Sequence, residues 1–205
     1  MIENKNHWYD GWFYDKFIAP NQDRLFRRIS GLIESESTII DVGCGTGRFS
    51  FFIADKCKSV LGIDLSERNI IRANHNLLKY SGNKISFRHI SLNRIIAERK
   101  ELFDYAVMTY VLHEVDESER VKLLKDMSEI ANKIIIGDYV YPNRIGFWNV
   151  LNEAVEFAAG RDHYQNYKSF LAKGGIKKLV SEAGLKIIHE NQNQPTTSHL
   201  VILSK

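Results

Sequence analysis

Three sets of residues carry the chemistry in this sequence: Asp41 with the glycine run that follows it, Asp64, and the pair His113-Glu114. The first set reads DVGCGTG from Asp41 to Gly47 and closes the apolar stretch Thr38-Ile39-Ile40. An apolar strand that ends in a glycine cluster and turns into a helix brings bare backbone up to a nucleotide-like ligand. Gly43, Gly45 and Gly47 make a GxGxG pattern, and Arg48 stands where GxGxxG needs its third glycine. A dinucleotide fold uses that glycine to pack helix closely on strand around a pyrophosphate. Arg48 weakens the dinucleotide reading, and the loop suits a ligand with adenosine but no phosphates. Asp41 points the same way: a carboxylate at the mouth of the strand repels a pyrophosphate and suits an ammonium and a sulfonium. Asp64 ends the next apolar run, 21 positions after Gly43. A carboxylate about 20 residues past such a loop is placed to accept hydrogen bonds from ribose hydroxyls.

His113-Glu114 is the acid/base candidate. Histidine takes a proton near neutral pH, which an O- or N-nucleophile has to lose. The alternative is a histidine that only lines the pocket or caps a backbone group. His163, within GRDHYQNY, is a second candidate, while His7, His75, His89, His189 and His199 read as surface or core residues. The sequence has no HExxH, paired-cysteine or DxDxDG spacing, so no metal is expected from local motifs.

Strands alternate with helical patterns, which argues for a parallel sheet with helices on both faces. The strands are expected at 38–43, 59–64, 85–90, 103–109 and 133–139. Helices are expected at 48–56, from an N-cap at Ser66 through Tyr80, at 92–101, and from Asp116 to about Ile130. Asn132 is then the lone turn residue before the fifth strand. Beyond it, 143–161 has aromatic and apolar residues at helical spacing, and Tyr167–Ala183 reads as one helix closed by Gly184 at C′. Leu185–Glu190 and Leu200–Ser204 are expected as two strands whose short linker favours antiparallel pairing.

DVGCGTG followed by GIDLS resembles the class I S-adenosylmethionine (SAM)-dependent methyltransferases, with the likeness running from about Thr38 to Tyr139. The resemblance implies an α/β, Rossmann-like, doubly wound seven-stranded sheet, mostly parallel with a C-terminal antiparallel hairpin and a helical insertion after the fifth strand. It also implies SAM as cofactor and S-adenosylhomocysteine (SAH) as product. By matching motif, the methionine and ribose portions would lie on Asp41, Gly43, Cys44, Gly45 and Gly47, with Asp64 and Leu65 at the ribose. Many family members place an acid after the third strand against the adenine amino group. Here Ser91 or Asn93 stands at that place, and Ser91-Leu92 would have to substitute. Thr109, at the end of the fourth strand, lies on the same rim and would be a further cofactor contact. The segment VMTYVLHEV resembles the small-molecule branch and lacks the D/N-P-P-Y sequence of enzymes that methylate amino groups of DNA or of protein glutamine.

The first 17 residues hold Trp8, Tyr9, Trp12, Phe13, Tyr14 and Phe17. This density suggests an aromatic lid that excludes water and offers π-faces to a sulfonium, with Tyr14 as the contacting residue. A helix packed on the domain would account for it as well. The organisation expected is a single domain over 1–205: N-terminal lid and helices at 1–30, cofactor-binding core at 38–139, and an insertion at 143–165 that lines an acceptor pocket with Phe147, Trp148 and Phe157.

The 205 residues suffice for one α/β domain with a real core. A net charge of +3 is too mild for a nucleic-acid binder, so a small-molecule acceptor is expected and nucleic acid is not. Two cysteines, Cys44 and Cys57, form neither a CxxC pair nor a disulfide framework. No apolar run approaches the roughly 20 residues that span a bilayer. The polar, aromatic N-terminus is unlike a signal peptide, and a cytoplasmic location is expected. The weighed alternatives are a nicotinamide-dependent oxidoreductase on a similar sheet, a non-catalytic SAM-binding or scaffold protein, and an RNA methyltransferase, which the weak net charge disfavours.

Overall fold

The structure, a computed structural model, describes residues 19–140, 160–192 and 198–205, with Glu153 and Phe157. Its elements in chain order are α1 (Ala19–Leu32), β1 (Thr38–Val42), α2 (Arg48–Ile53), β2 (Ser59–Asp64), α3 (Glu67–Leu77), β3 (Ile85–His89), α4 (Leu92–Glu98) and β4 (Phe103–Thr109). They continue with α5 (Glu117–Ile130), β5 (Ala131–Tyr139), α6 (Arg161–Ala172), α7 (Gly175–Ala183), β6 (Lys186–Gln192) and β7 (Ser198–Ser204). The seven strands form one sheet in the order β3-β2-β1-β4-β5-β7-β6. Strands β1 to β5 pair in parallel, and β7 runs antiparallel to both its neighbours. This is the sheet the resemblance implied.

Alternation along the strands sends successive side chains to opposite faces. Ile40, Ala106, Met108, Ile134, Ile136, Val201 and Leu203 face a core completed by α4, α5, α6 and α7. Their neighbours Ile39, Tyr105, Val107, Ile135, Leu200 and Ile202 face a second core with Leu25, Phe26 and Ile29 of α1 and Phe49 and Ile53 of α2. Burying a large apolar side chain stabilises by about 1.5–3 kcal/mol, and both faces are covered in this way. Residues 22–30 of the segment assigned to the N-terminal lid thus belong to a helix docked on the sheet. Its packing is close enough that a Cβ on Gly137 would overlap Leu25.

Two expectations are corrected. Tyr167–Ala183 is two helices, because Gly174 and Gly175 take positive φ (93° and 60°) and end α6 before α7 begins. No turn precedes the fifth strand: α5 passes directly into β5 at Ala131, whose φ −141°, ψ 154° is already extended, and Asn132 lies within the strand. Gly184 closes α7 in the left-handed conformation, as read from the sequence. Helix α2 stops at Ile53, and Ala54–Lys56 continue as a 3-10 turn. The aromatic segment 1–17, with Tyr14, and Phe147 and Trp148 of the insertion lie outside the described residues. No helix among the described residues is long and apolar enough to cross a membrane.

Candidate active site

The chain order reverses between β1 and β4, so the switch point of the sheet is the crevice at their carboxyl ends. Val42 ends β1 and leads into Gly43–Gly47, and Thr109 ends β4 and leads into Tyr110–Asp116. The two loops touch: a Cβ added to Gly43 would meet Val111 Cγ2 at 2.6 Å. A Cβ on Gly47 would overlap the Phe87 ring. These two glycines are set by packing. Gly45 differs, for it has φ +54° and a Cβ there would meet nothing within 4 Å among the described residues. It is the glycine whose absent side chain leaves open space above the loop.

Asp64 reaches under that space. Its Oδ2 accepts from Gly45 N–H at 2.8 Å, and its Oδ1 accepts from Ser66 N–H at 2.7 Å. The carboxylate at the tip of β2 therefore fixes the glycine loop and the start of α3 together. Gly43 N–H and Cys44 N–H donate to Ile63 O at 2.8 and 3.0 Å, which seats the loop on β2.

Asp41 is 1% exposed and accepts from Ser50 Oγ at 2.6 Å. Burial pushes its carboxyl up to about 7, the Ser50 hydroxyl opposes this, and the charge of Asp64 adds to the rise. Burial also pushes up the Cys44 thiol, with Asp41 and Asp64 reinforcing it, so Cys44 stays a protonated, inert thiol. Two acids thus border the loop, and a cation brought there would meet a carboxyl poised to ionise.

Along the rim, Leu65 is 58% exposed directly after Asp64, an apolar face open to a ligand. His89 Nε2 lies 3.0 Å from Leu65 O and ties the ends of β2 and β3. Ser91 stands at the start of α4 and its hydroxyl makes no capping bond to that helix, while the Leu92 side chain is buried in the core. At this place Leu92 offers backbone. Asn93, the other residue considered for an adenine contact, accepts from Lys122 Nζ at 3.1 Å. Thr109 is half-buried opposite Gly137.

Past β4 the backbone turns sharply. Tyr110 has φ +55°, an uncommon conformation for a non-glycine residue, and its N–H donates to Gly137 O at 2.8 Å. This turn delivers His113 into the interior, where it is 1% exposed. His113 Nδ1 lies 2.7 Å from Asp138 Oδ1, and the Asp138 carboxylate also accepts from the backbone N–H of His113 (3.2 Å) and Tyr139 (2.7 Å). Tyr139 packs edge-on at 4.7 Å and Tyr167 at 6.1 Å between ring centres. His163, on α6, comes to 5.8 Å from the His113 ring. The two histidine candidates, 50 positions apart, are neighbours in space.

Residues 39–133 match the family described as methyltransferase domain. The ubiquinone biosynthesis O-methyltransferase of Nitrosomonas europaea is 39% identical over 93 residues, 45% of this chain and 38% of that protein. Its counterpart in Nitrosospira multiformis is 28% identical over 158 residues, 73% of this chain and 62% of that protein. The chain therefore spans less than two thirds of the length of these relatives. The magnesium protoporphyrin IX methyltransferase of Synechocystis, solved with bound SAH, superposes with a TM-score of 0.67 at 20% identity, covering 96% of this chain and 90% of that one. The matched stretch carries the glycine loop and Asp64, and over it this chain is similar to a methyltransferase domain.

Arg48, at the end of the glycine loop, has a structural explanation. Its guanidinium donates to Gln22 Oε1 (2.9 Å) and Asp23 Oδ1 (2.7 Å), fastening α2 to α1 where a dinucleotide fold would place glycine. The sequence puts Asp138 at the end of the fifth strand, on the ligand rim, but gives it no role, because DY within an apolar strand resembles any strand end. Only the parallel pairing of β4 with β5 brings it to His113.

Proposed function

We propose that this protein is a methyltransferase that transfers the sulfonium methyl group of SAM to a small organic acceptor. The observation that carries the proposal is the open space at Gly45, whose N–H is held by the Asp64 carboxylate, with the buried carboxyl of Asp41 beneath the same loop. SAM has the matching parts: ribose hydroxyls for Asp64, and an ammonium and sulfonium for the Asp41 side. Leu65 supplies an apolar face for the adenosine, and Ser91 with the Leu92 backbone supplies polar groups for the adenine edge. Cys44 and Gly47 shape the loop, and Thr109 stands at the methyl side. Tyr14 would close the site from the N-terminal segment.

The acceptor side is the loop after β4. The acceptor nucleophile attacks the methyl carbon in line, the C–S bond breaks, and the electron pair stays on sulfur to give SAH. The acceptor's proton leaves to solvent or to His113, the catalytic candidate. Asp138 accepts from His113 Nδ1–H, so neutral His113 keeps its lone pair on Nε2. The rings of Tyr139 and Tyr167 around it suit an organic acceptor, since ligand pockets are mostly apolar with few polar anchors. Most of the acceleration comes from alignment and exclusion of water, because the sulfonium is already activated. The relatives named for ubiquinone biosynthesis O-methylation favour oxygen as the nucleophile.

The test is purified protein incubated with SAM labelled on the methyl group and a panel of small phenols, amines and enols, followed by mass spectrometry. Transfer to one class supports the proposal. Tight SAH retention without transfer to any acceptor would favour a non-catalytic SAM-binding protein.

A further inference from the structure

His113 Nε2, Glu114 and His163 converge at the acceptor end of the crevice. One ligand atom from each lies within 4.8 Å of the other two. Glu114 Oε1 is 3.8 Å from His113 Nε2 and 3.7 Å from His163 Nε2. These separations exceed the 2.7–2.9 Å typical of a charge-assisted hydrogen bond. They sit slightly outside the ~3.3 Å edge of a tetrahedron built on metal–ligand bonds of about 2.0–2.1 Å. Contraction of each side chain by roughly half an ångström would bring all three onto one cation.

The surroundings are built for this. Asp138 accepts from His113 Nδ1–H at 2.7 Å, which fixes the ring and directs the Nε2 lone pair at the cluster. A carboxylate behind a histidine is the usual outer support of a metal-bound imidazole. The third group is held by a separate set of bonds. The buried Arg120 guanidinium donates to Val115 O (2.9 Å) beside Glu114, and to Asn166 O (2.7 Å) and Ser169 Oγ (3.2 Å) on α6. Asn166 Nδ2 returns a bond to Glu114 O at 2.9 Å. The turn that carries Glu114 and the helix that carries His163 are therefore locked in register. Local motifs miss the set because 49 positions separate Glu114 from His163.

We propose that His113, Glu114 and His163 bind one divalent cation, zinc by preference. Two imidazoles and one carboxylate suit zinc better than the hard ions magnesium and calcium, which take oxygen ligands. Three protein ligands leave a coordination position for an acceptor oxygen, whose proton the cation makes easier to lose, then to solvent because the His113 Nε2 lone pair is on the metal. The acceptor class becomes an oxygen nucleophile able to bind a metal, such as a phenol or enol. That last step rests on the methyl-transfer reading above; the cation site does not.

The experiment is metal analysis of the full chain after dialysis against zinc, together with cobalt substitution read by visible absorption. One zinc per chain and a cobalt spectrum of low coordination number with nitrogen ligands are expected. Glu114→Gln, at a side chain 44% exposed and safe for the fold, should weaken zinc at least tenfold, and His163→Ala should do so by more. SAH titration of the same samples should be unchanged. Zinc well below one per chain, or zinc retained equally by Glu114→Gln and His163→Ala, would overturn the site. Loss of SAH binding with zinc retained would instead count against the methyl-transfer proposal alone.

Discussion

Ser50 Oγ donates to Asp41 Oδ2 at 2.6 Å, the first turn of α2 reaching back to the end of β1 beneath the glycine loop. This bond keeps a carboxyl in the interior, but it does not offset the loss of water. Asp41 is pushed from 3.8 to about 7. The folded protein therefore binds a proton that the unfolded chain releases between those values. Stability from this group is fully present below about pH 4 and is lost as pH rises through about 7. At about 1.36 kcal/mol per pH unit, the effect has a ceiling on the order of 4 kcal/mol. Asp41→Asn, which keeps the Ser50 partner, should flatten the slope and raise Tm at pH 8 but not at pH 4. Thermal unfolding across that range, without ligand, checks it.

The same group should make cofactor binding pH-dependent. A cationic ligand favours ionised Asp41, so SAM affinity should rise as pH goes from 6 to 8 in the wild type, by less than tenfold per pH unit. In Asp41→Asn the affinity should be lower at pH 8 and nearly independent of pH. Titrations at three pH values separate the outcomes.

Gly45 and Gly47 should answer substitution differently. Gly45→Ala meets no atom of the described residues, so its cost to the fold is that of the left-handed conformation, about 1–2 kcal/mol. It should fold, with SAH affinity reduced at least tenfold by a methyl in the ligand's space. Gly47→Ala drives its methyl into Phe87 and should lower Tm further. Equal loss of stability in both variants, with SAH binding intact in Gly45→Ala, would place the ligand elsewhere.

The glycine loop was legible because its chemistry is contiguous. Asp41, Gly43, Gly45 and Gly47 fall in seven residues, and Asp64 follows at a spacing fixed by one βαβ unit. The strands β2 and β4 were readable to the residue from their apolar runs. The acceptor side was legible only in fragments. His113-Glu114 and His163 each stood out as residue types, but their meeting depends on Arg120 and Asn166 docking α6 on the turn after β4. No local period encodes that contact. The break at Gly174-Gly175 was obscured because the apolar positions of α6 and α7 nearly keep helical spacing across it.

Asp64 has a structural duty as well as the proposed ribose contact, since it accepts from Gly45 and Ser66 N–H. Asp64→Asn keeps the shape but turns a charged acceptor into a neutral one that holds fewer N–H groups. It should lower Tm by a few degrees and weaken SAH by about 1.5–3 kcal/mol, as expected for hydrogen bonds to a charged group. Calorimetry beside thermal unfolding resolves the two effects.

His113→Asn distinguishes positioning from proton transfer. Because alignment limits transfer from a sulfonium, the loss should fall mainly on acceptor KM, with the acid limb of the pH–rate profile intact. A drop in kcat of about 10²–10⁴-fold with that limb flattened would instead make His113 a general base.

The central claim, that the space above Gly45 holds SAM, is tested most directly by calorimetric titration of the wild-type protein with SAH and, separately, with NAD. One SAH per chain, binding abolished or at least tenfold weaker in Gly45→Ala, and no NAD binding at the same concentrations are the predicted results. Tight NAD binding without SAH binding, or SAH bound equally well by the folded Gly45→Ala variant, would contradict it.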